Sequence, residues 1–380
     1  MKKLRVFETF AGIGAQHKAL SNLKEKGIID YEVVAISEWD IDAIIAYNAI
    51  HGANVDYDNA IDYNKYTFSS NGKSPTNINR LPESRKEELF NACKALNNLG
   101  SITEIKSNEI PDIDLLTYSF PCQDLSIASM GRGKGMVKGS GTRSGLLWEI
   151  ERIIKGLDKE NRLPKYLLLE NVPAIKSQKN SPELDKWLEF LTSKGYTHNE
   201  FILDASDFGI PQGRKRYFCL SILNGKNHYT QEDVINYYKE YCKKNKKKNL
   251  TLKSIFKSSE KYKDELIEST PNDTPSRRRM RESNHKLEDE NLKQVRTITT
   301  KQDRHPNAGM KYFDSGIKGK LKARFLTPRE CYMLMGFSTQ DFSKAKSKNI
   351  RKEKLYQQAG NSIVVNVLEA IFLLISMEEE

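Results

Sequence analysis

The sequence predicts an α/β protein: an open, mostly parallel sheet flanked by helices, with a second, smaller and basic domain. Up to about residue 222, short apolar runs alternate with helix-like stretches, the rhythm of βαβ units. Between 223 and 320 that rhythm breaks, and lysine runs (Lys243-Lys244, Lys246 to Lys248) and an arginine run (Arg277 to Arg279) replace it. From Arg324 helical patterning returns and ends in an apolar segment after Ser362. The candidate strands, in order, are Leu4–Phe7, Val33–Ile36, Leu115–Tyr118, Tyr166–Leu169, Thr197–Leu203 and Tyr217–Ile222. Residues 52 to 82 are polar and rich in Asn, Asp and Ser, and read as an insertion at the sheet's edge.

A chain of 380 residues is longer than one compact domain usually needs, so one large and one smaller domain is the natural division. The five cysteines, at 93, 122, 219, 242 and 331, make no Cys-x-x-Cys pair, so neither a metal site nor a disulfide framework is expected. Met1-Lys2-Lys3-Leu4-Arg5-Val6 runs straight into a strand with no long apolar region, which argues against secretion. The longest apolar stretch, from Ile363 to Ile375, is interrupted by Asn366 and Glu369 and is short for a bilayer. A cytoplasmic protein with no membrane association is the expectation, and there a lone cysteine stays a thiol. Of the net charge of +11, the segment Leu223–Lys320 carries +9, from 23 Lys and Arg against 14 Asp and Glu. A basic segment in an otherwise near-neutral chain is the footprint of a polyanion partner, although a solvated lysine-rich surface gives the same count.

After the first strand comes Phe10-Ala11-Gly12-Ile13-Gly14-Ala15-Gln16-His17. Two glycines one residue apart let the backbone turn sharply and approach a ligand ahead of a helix. A dinucleotide fingerprint wants a third glycine where this chain has His17, which argues against a pyrophosphate site. The second strand ends at Glu38-Trp39. The acid can accept from ribose hydroxyls and the indole offers a flat face to adenine. An ordinary tight turn, an exposed acid and a core tryptophan would explain each feature separately. Together they suggest an adenosine-containing ligand without strong phosphate recognition, and S-adenosylmethionine suits that better than NAD.

The segment Leu115-Leu116-Thr117-Tyr118-Ser119-Phe120-Pro121-Cys122-Gln123 is a strand leading into Pro-Cys. Proline sets a rigid turn at the strand's carboxyl end, where open α/β sheets place their chemistry. That position marks Cys122 as a nucleophile, while Cys93, Cys219, Cys242 and Cys331 read as small buried hydrophobes. In Tyr166-Leu167-Leu168-Leu169-Glu170-Asn171-Val172 the first charged group comes at the end of an apolar strand, at the same sheet edge. Partial desolvation there suits a carboxyl to acid work. Gln212-Gly213-Arg214-Lys215-Arg216 precedes another strand and offers two guanidinium groups at alternate positions.

In this order the motifs resemble the cytosine-C5 DNA methyltransferases: Phe-x-Gly-x-Gly, Glu-Trp, Phe-Pro-Cys-Gln, Glu-Asn-Val, Gln-x-Arg-x-Arg and Gly360-Asn361-Ser362. Arg324-Phe325-Leu326-Thr327-Pro328-Arg329-Glu330-Cys331 and Gly141-Thr142-Arg143-Ser144-Gly145-Leu146-Leu147 match two further family motifs. The resemblance covers the chain except residues 52 to 82 and 223 to 295. It implies a Rossmann-like, S-adenosylmethionine-dependent methyltransferase domain made of residues 1–222 plus 321–380. That domain is discontinuous, because the family's final helix packs back beside the first strand. Residues 223–320 then form a target-recognition, DNA-binding domain.

The resemblance also implies roles. The target cytosine is flipped out of the duplex, Cys122 attacks C6, and Glu170 protonates or hydrogen-bonds N3. Arg216 contacts the flipped base, and Arg214 supports loop and backbone. Gln123 and Ser126 belong to a Gly/Ser/Lys-rich segment, 124 to 142, like the family's catalytic loop, with Ser126 facing DNA. Phe10, Gly12, Ile13, Gly14, Glu38, Trp39, Ser101, Ile102, Pro121, Leu146, Asn361 and Ser362 line the cofactor pocket. Ser101 stands where the family often has an acid for the adenine amino group, so either weaker adenine recognition or a backbone or hydroxyl contact is expected there. The stretch from Arg296 to Arg304 resembles the family's recognition-loop region, where Arg296, Thr299, Lys301, Gln302 and Arg304 would reach DNA, with a plain solvated loop as the alternative. The expected partner is double-stranded DNA, met by a monomer, with a separate cognate restriction endonuclease or, for an orphan methylase, none. A tRNA cytosine-C5 methyltransferase is the alternative enzyme, disfavoured by a recognition region of this length. A catalytically dead DNA-binding relative is the other, disfavoured by intact Cys122, Glu170 and Arg216.

Overall fold

The structure is a computed structural model that describes residues 3–52, 62, 65–121, 136–138, 143–289 and 291–378. In chain order its elements are β1 (Leu4–Thr9), α1 (Ala15–Lys24), β2 (Tyr31–Ser37), α2 (Ile41–His51), α3 (Glu83–Ala95), β3 (Leu115–Tyr118), α4 (Leu147–Lys159), β4 (Tyr166–Asn171), α5 (Ser181–Thr192), β5 (Tyr196–Asp204), β6 (Gln212–Gly213) and β7 (Lys215–Leu223). There follow α6 (Gln231–Lys244), α7 (Leu252–Ser259), α8 (Lys263–Glu268), α9 (Pro275–Ser283), β8 (Val295–Arg296), β9 (Met310–Tyr312), β10 (Ala323–Phe325), α10 (Pro328–Met333), α11 (Thr339–Lys346), α12 (Lys352–Asn361) and α13 (Val365–Glu378). Two compact units result. The first is Met1–Leu203, Lys215–Tyr238 and Glu369–Glu380, and the second is Asp204–Arg214 and Lys239–Leu368.

All six expected strands form, and they make one sheet in the order β2-β1-β3-β4-β7-β5. β1 pairs in parallel with β2 and β3, β3 pairs in parallel with β4, and β7 runs antiparallel to β4. The carboxyl ends of β1 to β4 therefore share one edge. Every residue of β3 and β4 is buried, as in strands covered on both faces, which is why they read as mostly apolar, with Thr117 inside β3 and Glu170-Asn171 closing β4. α4 covers them by burying Leu147, Ile150, Ile153, Ile154 and Leu157 at helical spacing, joined by Trp187 of α5 in one core cluster. At the β2 side, Asp40 caps α2 by accepting from the Asp42 and Ala43 amides at 3.1 Å. Phe68 and Ile78 pack with α2 and α3, so the polar stretch read as an edge insertion also contributes core side chains.

The chain's end returns to the first unit. Buried Glu369 of α13 accepts from Asn22 of α1 at 2.6 Å and from Tyr238 of α6 at 3.2 Å. The helical run Lys352–Glu378 has the length and apolarity of a membrane span, but 78% of its most apolar window is buried, as in the core helix of a folded domain.

The second unit holds a β9–β10 antiparallel hairpin, whose Met310, Leu321, Ala323 and Phe325 form a small core, and the parallel pair β6–β8. Its limits differ from the expected 223–320. The segment 321–368 packs with 239–320, because long-range polar pairs join them. Arg329 makes a bidentate pair with Glu265 at 2.9 and 2.8 Å, with its guanidinium 3.5 Å from the Tyr262 ring centroid. Gln212 donates to the Leu334 carbonyl at 2.7 Å and accepts from the Ile298 amide at 2.8 Å. Arg324 grips Glu330 at 2.8 and 2.7 Å, and neither side chain is more than 3% exposed. Arg324→Met leaves that carboxylate buried beside apolar atoms. It is expected to lower the unfolding free energy by about 3–5 kcal/mol, read as a fall in the urea midpoint.

Candidate active site

The shared edge of the sheet collects the turns that follow β1, β2, β3 and β4. In the first, Phe10, Gly12 and Gly14 all have positive φ, at 53°, 56° and 73°. A Cβ on Gly14 would lie 2.5 Å from His51 Nε2 and 2.6 Å from a Tyr47 ring carbon, so only glycine fits there. Gly14 also opens α1, which has no side-chain cap. Glu38 accepts from the Gly12 amide at 2.9 Å on one oxygen, and from the Trp39 and Asp40 amides at 2.8 Å on the other. Burial pushes its carboxyl above the usual range, with those amides pulling the other way.

Asn98, which the sequence reading missed, ties this turn to the next. Its Oδ1 accepts from the Glu38 and Gly100 amides at 3.1 Å, and its Nδ2 donates to the Glu38 carbonyl at 3.0 Å. The Asn-Asn-Leu-Gly turn chemistry was the available signal. Ser101 follows, half-buried with its hydroxyl 2.9 Å from that of Thr103, and Ile102 is buried. Glu38 and the Ser101 loop are thus brought together, with Trp39 half-buried beside them. A carboxylate offers about four lone-pair sites and three are taken by amides, so one acceptor position remains for a ribose hydroxyl. The group fits an adenosine-containing ligand.

After β3, the path towards Cys122 is held at two successive carbonyls. Asn171 donates to Phe120 O at 3.1 Å, and the Ser144 hydroxyl donates to Pro121 O at 2.8 Å. Cys122, Gln123 and Ser126 lie outside the described residues, while Leu146 packs against the main core. Glu170, one residue before the end of β4, is 9% exposed. The β4–β7 pairing of Asn171 with Tyr217 brings Arg216 alongside, its Nε 3.3 Å from Glu170 Oε1. Cys93, Cys219 and Cys331 are buried, whereas Cys242, expected to be buried, is only half-buried in α6; burial pushes the thiols of Cys93 and Cys219 up to about 12.

Arg214 belongs to the second unit and is buried. It donates to Ile298 O at 2.9 Å, Gly360 O at 3.0 Å and Ser362 O at 2.8 Å, so it clamps one loop to another. A Cβ on Gly360 would lie 2.3 Å from the Thr300 amide nitrogen, so the two backbones touch there. Asn361 is exposed and Ser362 buried; Arg296, Lys301 and Arg304 are exposed and Thr299 half-buried. Arg304 is held by Asp303 at 2.8 Å. Gln302 departs from its expected outward role: it is fully buried, and its Oε1 accepts from the Ala308 amide at 3.4 Å, propping the loop.

Beneath the glycine turn, Glu8 of β1 is fully buried. Tyr47 donates to its Oε2 at 3.1 Å, and its Oε1 has no hydrogen-bond partner among the described residues. Burial pushes the carboxyl up to about 8, against the Tyr47 hydroxyl and the His17 amide. The folded chain then holds a proton that the unfolded chain has released, between the ordinary value of 4.5 and about 8. Stability therefore falls as pH rises through that window, by up to about 1.4 kcal/mol per unit. Glu8→Gln is expected to flatten this slope in urea titrations across the same range.

Residues 84–376 match the family model described as C-5 cytosine-specific DNA methylase. The chain is 38% identical over 388 residues to the orphan methyltransferase M.SssI of Spiroplasma monobiae, covering 97% of this chain and 96% of that one. It is 36% identical over 384 residues to the type II methyltransferase M2.ScrFI of Lactococcus lactis subsp. cremoris, covering 97% and 98%. Among solved structures, the S. pombe Dnmt2 methyltransferase matches at a TM-score of 0.65 and 20% identity over 100% of both chains, a likeness of fold. The chain belongs to the C-5 cytosine-specific DNA methylases and is a DNA cytosine-C5 methyltransferase, of a family whose methyl donor is S-adenosylmethionine.

Proposed function

We propose that Cys122 is the nucleophile of this reaction and that Glu170 and Arg216 hold and activate the flipped base. The observation that carries the reading is the Glu170–Arg216 pair, partly desolvated at 3.3 Å, at the sheet edge where the Phe120-Pro121 turn leads into Cys122. A cytosine presents N3 and O2 as acceptors on one edge, which a protonated carboxyl and a guanidinium match. The Cys122 thiolate forms a bond to C6 while Glu170 delivers a proton to N3, and electron density moves to C5. C5 takes the methyl group, then loses its proton to solvent. The C6–S bond breaks as Glu170 regains the N3 proton, restoring base and thiolate. S-adenosylmethionine, when bound, supplies a sulfonium-activated methyl group. Glu38 would hold its ribose and Trp39 its adenine face. Phe10, Gly12, Ile13, Gly14, Ser101, Ile102, Pro121 and Leu146 would shape the pocket, together with Asn361 and Ser362.

Residues 223–320 act as the target-recognition domain in this reading, supported by their charge of +9. Exposed Arg296, Lys301 and Arg304, with Thr299, contact phosphates or base edges, as does Ser126. Gln123 belongs to the catalytic set. The chain works as a monomer in a bacterial or phage cytoplasm, as an orphan or beside a cognate endonuclease; both orphan and type II names occur among its relatives. Duplex DNA carrying 5-fluorocytosine is the test. With S-adenosylmethionine it should trap a denaturation-resistant complex, because the blocked C5 cannot lose a proton. Trapping or methylation of tRNA with none on duplex DNA overturns the reading.

A further inference from the structure

The mechanism above makes no use of the imidazole pair beneath the glycine turn. His51, the last residue of α2, places Nε2 2.9 Å from the Ile13 carbonyl oxygen. A carbonyl only accepts, so His51 carries a proton on Nε2 and donates it. Its ring stacks on that of His17 in α1, with centroids 4.3 Å apart and 19° between planes. His17 Nδ1 lies 3.0 Å from the Tyr47 hydroxyl, which is also hydrogen-bonded to Glu8. That contact orients the second imidazole against α2, whichever of the two atoms donates. Burial and the neighbouring His51 and Lys18 hold His17 well below the usual histidine range, hence neutral.

The turn needs outside support, since Phe10, Gly12 and Gly14 all sit in left-handed conformations. Its Gly12 amide is braced by Glu38 from the end of β2. Two peptides further on, the Ile13–Gly14 unit is braced by His51 from the end of α2, whose ring fills the space a Gly14 side chain would occupy. We propose that His51 is a positioning residue for the methyl donor: its Nε2–H fixes the Ile13–Gly14 peptide in the shape that receives the ligand, and His17 holds the ring in place. This rests on the reading that the glycine turn binds S-adenosylmethionine.

The test compares His51→Gln with His51→Met in the full chain. Gln keeps an N–H near the position of Nε2, and Met has similar length and no donor. Calorimetric binding of S-adenosylhomocysteine is expected to weaken about tenfold in the Met variant and to stay within about threefold of the parent in the Gln variant. At saturating methyl donor, kcat should be unchanged in both, because the residue does not touch the reacting atoms. His51→Phe, which keeps a stacking ring, replaces Met in the comparison if the Met variant does not fold. Equal affinities for Gln and the donor-less variant overturn the proposal, as does a lowered Tm with unchanged affinity. Glu38→Ala separates the two levels. If it binds like the parent, the reading of the glycine turn itself fails; if it loses binding while His51→Met does not, only the His51 proposal fails.

Discussion

Cys122→Ala is expected to abolish covalent trapping of 5-fluorocytosine DNA and to lower methyl transfer by at least about four orders of magnitude, the scale of losing an attacking nucleophile. Three of the four described thiols are too buried to take its place, while the fourth, Cys242 of α6, is half-buried. Cys93 and Cys219 are buried with their pKa values pushed up to about 12, so at neutral pH their thiolate fraction is on the order of one in 10⁵. Cys331 is fully buried and pushed up as well. The loss should appear in kcat, with S-adenosylhomocysteine still bound as in the parent. Trapping that persists in Cys122→Ala would remove this residue from the mechanism.

Glu170→Gln is expected to cost roughly 10²–10⁴-fold in kcat, the range for removing a positioned acid. Glutamine keeps the length and a hydrogen bond but cannot deliver a proton to N3. It also leaves Arg216 beside a neutral amide where a carboxylate stood 3.3 Å away. The two side chains, 12% and 17% exposed, therefore act as a unit. The double variant Glu170→Gln with Arg216→Met should fall short of the product of the single losses. Multiplicative losses in single-turnover rates would show that the two work independently.

The parts of this molecule that could be read in its sequence are those whose physics is local. Leu115–Tyr118 and Tyr166–Leu169 are strands covered on both faces, so their mostly apolar runs announce them, and the first charged group after the second run marks the sheet edge. That located Glu170, while the rigid turn a proline sets located Pro121. What stayed hidden depends on partners far along the chain. The pairing of Arg329 with Glu265, 64 residues apart, draws 321–368 into the second unit and leaves no periodic trace. Phe68 and Ile78 are isolated apolar residues in a polar stretch, yet both are core. His51 serves a carbonyl 38 residues upstream, and Gln302 turns inward where its neighbours point out. A polar residue does not advertise which backbone atom it will meet.

The contact between Gly360 and the Thr299–Thr300 backbone has a consequence for re-engineering the loop proposed to read DNA. Main chain lies on main chain there, with Arg214 anchoring Ile298 on one side and Gly360 and Ser362 on the other. The loop's route is thus a fixed track, while Arg296, Lys301 and Arg304 hang from it into solvent. An engineer can exchange that lettering freely, but adding or deleting a residue between 298 and 300 would pull the track from its bed. Under the DNA-reading role proposed for this loop, new specificities are to be sought by rewriting side chains at constant loop length.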